Sequence, residues 1–209
     1  MSETIPGPAY RVVTSRLVIR CWNPPDAPLL GAAVESSLDH LRPWLPWAMN
    51  EPVPLEMRVQ RLRAFRGAFD LGTDFVYGIF GLDEAEVIGG TGLHTRVGAG
   101  AREIGYWIGS RHVHQGFARE TAAALTRVAF LVDGVDRVEI HCDPRNTASA
   151  AVPHALGYIH EATLRRRVAG SDGVLRDAMI WTMLRDIFPA SPSAQAPLEA
   201  YDAIGRRIV

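Results

Sequence analysis

Gly116 stands where this chain is best placed to do chemistry. It lies in the run Gln115-Gly116-Phe117-Ala118, between an apolar and aromatic stretch at 103–108 and a long segment of helical periodicity at 119–132. A helix that opens at a glycine points several unbonded backbone N–H groups the same way, and its dipole adds partial positive charge there. Phosphate and pyrophosphate groups suit such a place, and the missing side chain lets a ligand reach the main chain. The same residues also suit an ordinary strand-to-helix connection.

Other reactive side chains form looser sets. His141 and Cys142, with His112, His114 and His154, are metal-ligating types, but neighbours on a strand point to opposite faces and no ligand spacing is present. No metal is expected. Positive charge is carried by arginine alone, which excludes a lysine Schiff base and the lysine of an ATP-binding P-loop. Arg58, Arg61, Arg63 and Arg66, and the run Arg165-Arg166-Arg167, suit an acidic or carboxylate-bearing ligand. Charge runs are usually solvated faces, and that reading leads here.

The elements that must position these groups follow from pattern. The strands are expected at 16–22, 75–80, 87–94, 103–108, 137–142, 158–168 and 178–184, and helices from Asp26 to about residue 38, at 54–70, 119–132 and 147–156. Ala118, Ala122, Leu125, Ala129 and Val132 form one apolar stripe on the 119–132 helix. Arg58, Arg61, Arg63 and Arg66 are read on the outer face of the 54–70 helix. Pro43 and Pro46 keep HLRPWLPW at 40–47 irregular, with Trp44 and Trp47 either walling a site or plugging the core edge. Residues 1–15 read as a loose leader, Gly157 as a helix C-cap and 170–173 as a turn. The domain is expected over 1–188, followed by a linker and a short segment in which Leu198, Tyr201, Ile204 and Ile208 could line a helix.

Composition agrees with one globular domain. The chain has 209 residues, 47% hydrophobic and 22% charged, with a net charge of -1, which gives no reason to expect nucleic-acid binding. Two cysteines, Cys21 and Cys142, fit a reducing cytoplasm better than a disulfide framework. No signal peptide or bilayer-spanning run is visible.

Several of these features occur together in one family. The turn at 115–118, the run Asn146-Thr147-Ala148-Ser149 followed by Gly157-Tyr158, TSRLVIR at 14–20 and HLRPWLPW at 40–47 resemble GNAT-superfamily N-acetyltransferases of the RimJ/RimL type, over residues 12–186. The resemblance implies an α/β (α+β) fold, a mixed, mostly antiparallel sheet of about six to seven strands with helices on both faces. It implies a cytoplasmic enzyme that transfers an acetyl group from acetyl-CoA to an amine directly, within a ternary complex.

The resemblance also implies roles. The backbone of Val113, His114, Gln115, Gly116, Phe117, Ala118 and Arg119 would hold the cofactor pyrophosphate. The pantetheine arm would lie between the 103–108 and 137–142 strands, bonded by the backbone of Tyr106, Trp107 and Ile108. Asn146 would hold a pantetheine amide, or cap a helix, or both. Ser149 matches the serine of the Asn-x-x-Ser motif and would relay a proton to the departing sulfur; the tyrosine common in the superfamily is replaced by Pro153. That proline cannot donate to the Ser149 carbonyl, so a local kink and a free carbonyl are expected. Glu103 is the base candidate, through water, with a solvated strand-edge carboxylate as its plain reading. Two positions depart from the pattern: Val113 stands where Gln or Arg is usual, and His114 where Gly is common.

The expected acceptor is a protein N-terminal α-amino group, whose pKa of about 7.7–8.0 leaves a useful neutral fraction at pH 7. A small-molecule amine such as an antibiotic or polyamine is the alternative acceptor, and a non-catalytic acyl-CoA-binding module the alternative class. A homodimer is compatible with the terminal segment.

Overall fold

The computed structural model describes residues 7–170 and 172–209. Among them one nine-stranded sheet runs in the order β7-β8-β6-β5-β4-β3-β2-β1-β9. Its strands are β1 (Arg11–Val13), β2 (Leu17–Cys21), β3 (Phe75–Gly81), β4 (Val87–His94), β5 (Ala101–Ile108), β6 (Arg137–Cys142), β7 (Ile159–Ala169), β8 (Leu175–Leu184) and β9 (Glu199–Tyr201). All neighbours are antiparallel except β5 and β6. The helices are α1 (Ala27–Glu35), α2 (Leu38–Leu41), α3 (Leu55–Asp70), α4 (Phe117–Leu131) and α5 (Thr147–Ala155).

The sheet is covered on both faces because its strands alternate. In β2, Leu17 and Ile19 enter the large core under α4, while Val18 enters the smaller core under α1. The stripe of α4 is buried as expected, Ala122, Leu125 and Ala129 completely. Thr121, Ala123, Ala124 and Thr126 are buried too, because residues 188–196 lie along the outer side of the helix. There Phe188 stacks on Phe130 at 4.5 Å and Arg127 donates to the Ala196 carbonyl at 2.7 Å.

Five expectations need correction. The sheet has nine strands rather than six or seven, because three-residue strands at each end of the chain pair with one another at its edge. Residues 11–13 of the expected leader form β1; residues 1–6 lie outside the described residues, as does Ser171 of the expected 170–173 turn. The terminal stretch is a strand, not a helix: Leu198 and Ala200 point inward with period two, whereas Ile204 is 75% exposed. Arg58 is buried rather than on the outer face of α3. Its guanidinium lies against Gly31, where a Cβ would come within 2.1 Å of Nη1, and pairs with Glu35 and Glu51. Finally, Asp26, where the first helix is expected to open, stands at the N-cap of α1 without a side-chain capping bond; its carboxylate accepts from Asn23 N and pairs with Arg20.

Candidate active site

The site begins with a ladder that stops. β5 pairs with β6 only over Ala101, Arg102 and Glu103, opposite Arg137, Val138 and Glu139. Beyond Glu103 the two strands part, because β5 stays registered on β4 to Ile108 and β6 stays registered on β8 to Cys142. The edge of β5 from Ile104 to Ile108 is left without a ladder partner on that side. Buried main-chain groups need partners, so this gap suits an extended ligand with amide groups.

At its wide end lies the 113–119 turn. His114 and Gly116 both adopt left-handed backbone, at φ 60° and 82°, and α4 starts directly after. Its first internal bond runs from Glu120 N to Gly116 O, 3.0 Å, so the N–H groups of Phe117, Ala118 and Arg119 have no acceptor among the described residues. The start of β2 fastens the turn. Arg16 donates to the Gln115 carbonyl at 3.0 Å and pairs with Glu120, which also accepts from Thr14 Oγ1 at 2.6 Å. The TSR run at 14–16 therefore fastens the 113–119 turn from 99 to 106 residues away in sequence.

One cleft of about 400 Å³ brings together every expected cofactor residue except Gln115: Tyr106, Trp107, Ile108, Val113, His114, Gly116, Phe117, Ala118, Arg119 and Asn146, with Ser149. The Gln115 side chain turns back to the Arg111 carbonyl at 3.0 Å. Asn146 Oδ1 caps α5 by accepting from Ser149 N at 3.0 Å. Pro153 frees the Ser149 carbonyl, as expected, and the Tyr106 hydroxyl donates to it at 3.1 Å while lying 3.4 Å from Ser149 Oγ. Burial pushes the Tyr106 phenol well above its ordinary value, outweighing the Ser149 contact.

A second cleft, of about 670 Å³, opens on the other face of β4 and β5. The register sets Gly90 opposite Trp107, Gly92 opposite Gly105 and His94 opposite Glu103, and cross-strand partners share a face. Gly90 and Gly105 line the cleft without side chains, and the neighbouring rings lie across the glycines of both strands. A Cβ at Gly90 would come 2.5 Å from Trp107 Nε1, and one at Gly92 2.7 Å from the His94 ring. Trp22, Leu30, Val34, Phe65 and Trp47 supply apolar walls. The wall at 45–50 is held by Glu51, whose fully buried carboxylate accepts from Arg61 at 2.5 Å and Arg58 at 3.2 Å.

Two carboxylates with basic partners edge this cleft. His94 Nδ1 lies 3.0 Å from both oxygens of Asp74. Burial raises the Asp74 carboxyl, but the His94 hydrogen bond outweighs it and holds it low. Glu103 is not among the lining residues of either cleft. Its carboxylate is clamped by Arg96 through Nε and Nη2, at 2.7 and 2.5 Å. Burial raises Glu103 as well, yet the Arg96 bonds leave it below the ordinary carboxylate range. Glu103 thus lies outside the cleft that Ser149 lines, and Asp74, His94 and Arg96 line the second cleft. The alternation Gly90-x-Gly92-x-His94 was the available signal, since it assigns all three to one strand face. Among the described residues no group of three or more His, Cys, Asp or Glu could hold a metal ion, and no helix is long and apolar enough to cross a membrane.

Comparison with known proteins decides the family. The model of the GNAT acetyltransferase domain matches residues 16–159. The chain belongs to this family. It is 26% identical over 178 residues to the ribosomal protein uS5-alanine N-acetyltransferase of Escherichia coli (strain K12), covering 83% of this chain and 90% of the relative. In structure it is similar to Mycobacterium smegmatis RimJ in complex with CoA-disulfide, with a TM-score of 0.78 at 23% identity over 91% of this chain and 95% of that one. It is similar also to RimL, a ribosomal L7/L12 alpha-N-protein acetyltransferase in complex with coenzyme A, with a TM-score of 0.74 at 21% identity over 83% and 97%. As a GNAT acetyltransferase the chain is an enzyme, with the mixed, largely antiparallel open sheet of that fold.

Proposed function

We propose that this acetyltransferase takes its acetyl group from acetyl-CoA and passes it directly to a primary amine, the α-amino group of a protein N-terminus. The observation that carries the reading is the meeting of the two clefts: Leu45, Tyr106 and Trp107 line both. A thioester laid along the unpaired edge of β5 would meet an amine arriving across the glycine floor, so both reactants are positioned together.

The residues fit acetyl-CoA. The unbonded N–H groups at 117–119 suit its pyrophosphate, and the free edge at 104–108 suits the pantetheine amides in the manner of an added strand. Acetyl-CoA supplies an acyl group on a good leaving sulfur. Ser149, beside the protonated Tyr106 hydroxyl, supplies the proton that sulfur needs. Such an enzyme works where acetyl-CoA is made, in the cytoplasm.

The E. coli relative is named for alanine of a ribosomal protein, which favours a protein N-terminus here. The apolar walls favour a second reading, because an alanine methyl would fill little of a cleft of about 670 Å³; an aromatic small-molecule amine would fill it better. A thiol-release assay with acetyl-CoA, run against peptides starting with Ala, Ser or Met and against small aromatic amines, separates the two. Peptide turnover without small-amine turnover is expected, and the reverse pattern would overturn the N-terminal assignment.

A further inference from the structure

We propose that His94, oriented by Asp74, is the general base that removes the proton of the acceptor ammonium. The inference rests on reading the glycine-floored cleft as the amine site.

His94 closes β4, and its ring lies over bare backbone: Nε2 is 2.7 Å from a Cβ position at Gly92 and 3.3 Å from one at Gly105. Any other residue at Gly92 would displace it. Asp74, in the connection from α3 to β3, receives the Nδ1 hydrogen at 3.0 Å on either oxygen. That contact assigns the proton of the neutral ring to Nδ1 and the lone pair to Nε2. Nε2 has no hydrogen-bond partner among the described residues, and His94 lines the cleft. Gly105 precedes Tyr106 and Trp107, where the clefts join, by one and two residues. At about 3.3 Å per residue along a strand, Nε2 lies within reach of an amine there, directly or through one water.

The other titratable groups nearby are engaged. Glu103 holds Arg96 with both oxygens. His141, on β6, has Nε2 at 2.6 Å from Glu139 and Nδ1 at 3.8 Å from Glu103. Arg61, facing the cleft from α3, is paired with Glu51. An imidazolium formed at His94 would sit between the Asp74 and Glu103 carboxylates, with Arg96 and Arg61 as the opposing charges.

The step balances simply. Nε2 takes one proton from the ammonium, and the freed nitrogen lone pair attacks the thioester carbonyl. The C–N bond forms as the C–S bond breaks. A second nitrogen proton replaces the one delivered to sulfur by way of Ser149, and the His94 proton is released to solvent. Asp74 touches no reactant and is a positioning residue.

The test is the pH dependence of kcat/KM for an accepted peptide in wild type, His94→Gln and Asp74→Asn, with acetyl-CoA affinity measured by calorimetry. Wild-type kcat/KM should rise with pH through the range where histidine loses its charge. His94→Gln should lower kcat/KM at neutral pH by about 100-fold or more, leave acetyl-CoA affinity within about twofold and lose that limb, recovering only as pH approaches the pKa of the amine. Asp74→Asn should fall less and shift the limb. A His94→Gln enzyme with wild-type rate and profile, or with a uniform loss at every pH, would overturn the assignment. If the wild type released no CoA in response to any amine, the function proposed above would fail, and this inference with it.

Discussion

Ser149 and Tyr106 share one small contact, and it exists because Pro153 has no N–H to offer. The freed Ser149 carbonyl takes the Tyr106 hydroxyl at 3.1 Å, which brings that hydroxyl 3.4 Å from Ser149 Oγ. On the proposed mechanism this pair is the proton source, although the usual tyrosine position is a proline. Ser149→Ala should lower kcat by about 100-fold, the low end for a proton-transfer group, with acetyl-CoA affinity unchanged by calorimetry. Unchanged turnover would remove Ser149 from the mechanism. Glu103, by contrast, is held low by two bonds to Arg96, and a carboxylate so stabilised is a weak proton acceptor.

At the scale of elements, the decisive arrangement is a strand abandoned by one neighbour next to a helix start. Gly116→Val would put a β-branched residue at φ 82°, a left-handed conformation that costs it of order 1–3 kcal/mol, and would set methyl groups where the anion turn must stay bare. Acetyl-CoA affinity should fall by at least about 100-fold, roughly 2.7 kcal/mol, while circular dichroism still shows a folded protein. Retained affinity would mean the cofactor lies elsewhere. Much of this region was legible in the chain: the α4 stripe, Gly116, and the proline inside α5 each carry a local signal. Asp74 and His94 carried none that pairs them, since the β3–β4 register brings residues 20 apart in sequence together. The three-residue strands β1 and β9 are too short for alternation to declare them. Arg58 looked like an outer-face charge because only the fold reveals Gly31 beneath it and Glu51 beside it.

At the scale of the molecule, a buried ion cluster ties the cleft wall to the helices. Glu51 lies between Arg58 and Arg61, and its backbone carbonyl accepts from Arg42 at 3.0 Å. Burial would raise the Glu51 carboxyl, but the Arg61 and Arg58 bonds outweigh it and the net shift is downward. A carboxyl depressed in the folded state adds stability that is fully present above its unfolded pKa of about 4.3 and is lost as pH falls through the folded value. Glu51→Gln leaves two guanidinium groups short of a counter-charge, so it should cost about 3 kcal/mol at pH 7 by urea denaturation. The gap to wild type should then narrow below about pH 4. A gap of the same size at pH 3 would contradict the ionic account. Where the two substrates meet is read out by a crystal structure with acetyl-CoA bound. Pyrophosphate oxygens should lie on the N–H groups of Phe117, Ala118 and Arg119, and the thioester beside Tyr106 and Trp107 where the two clefts join. A thioester lying away from that junction, with the glycine floor closed to it, would mean that the two clefts do not bring the reactants together.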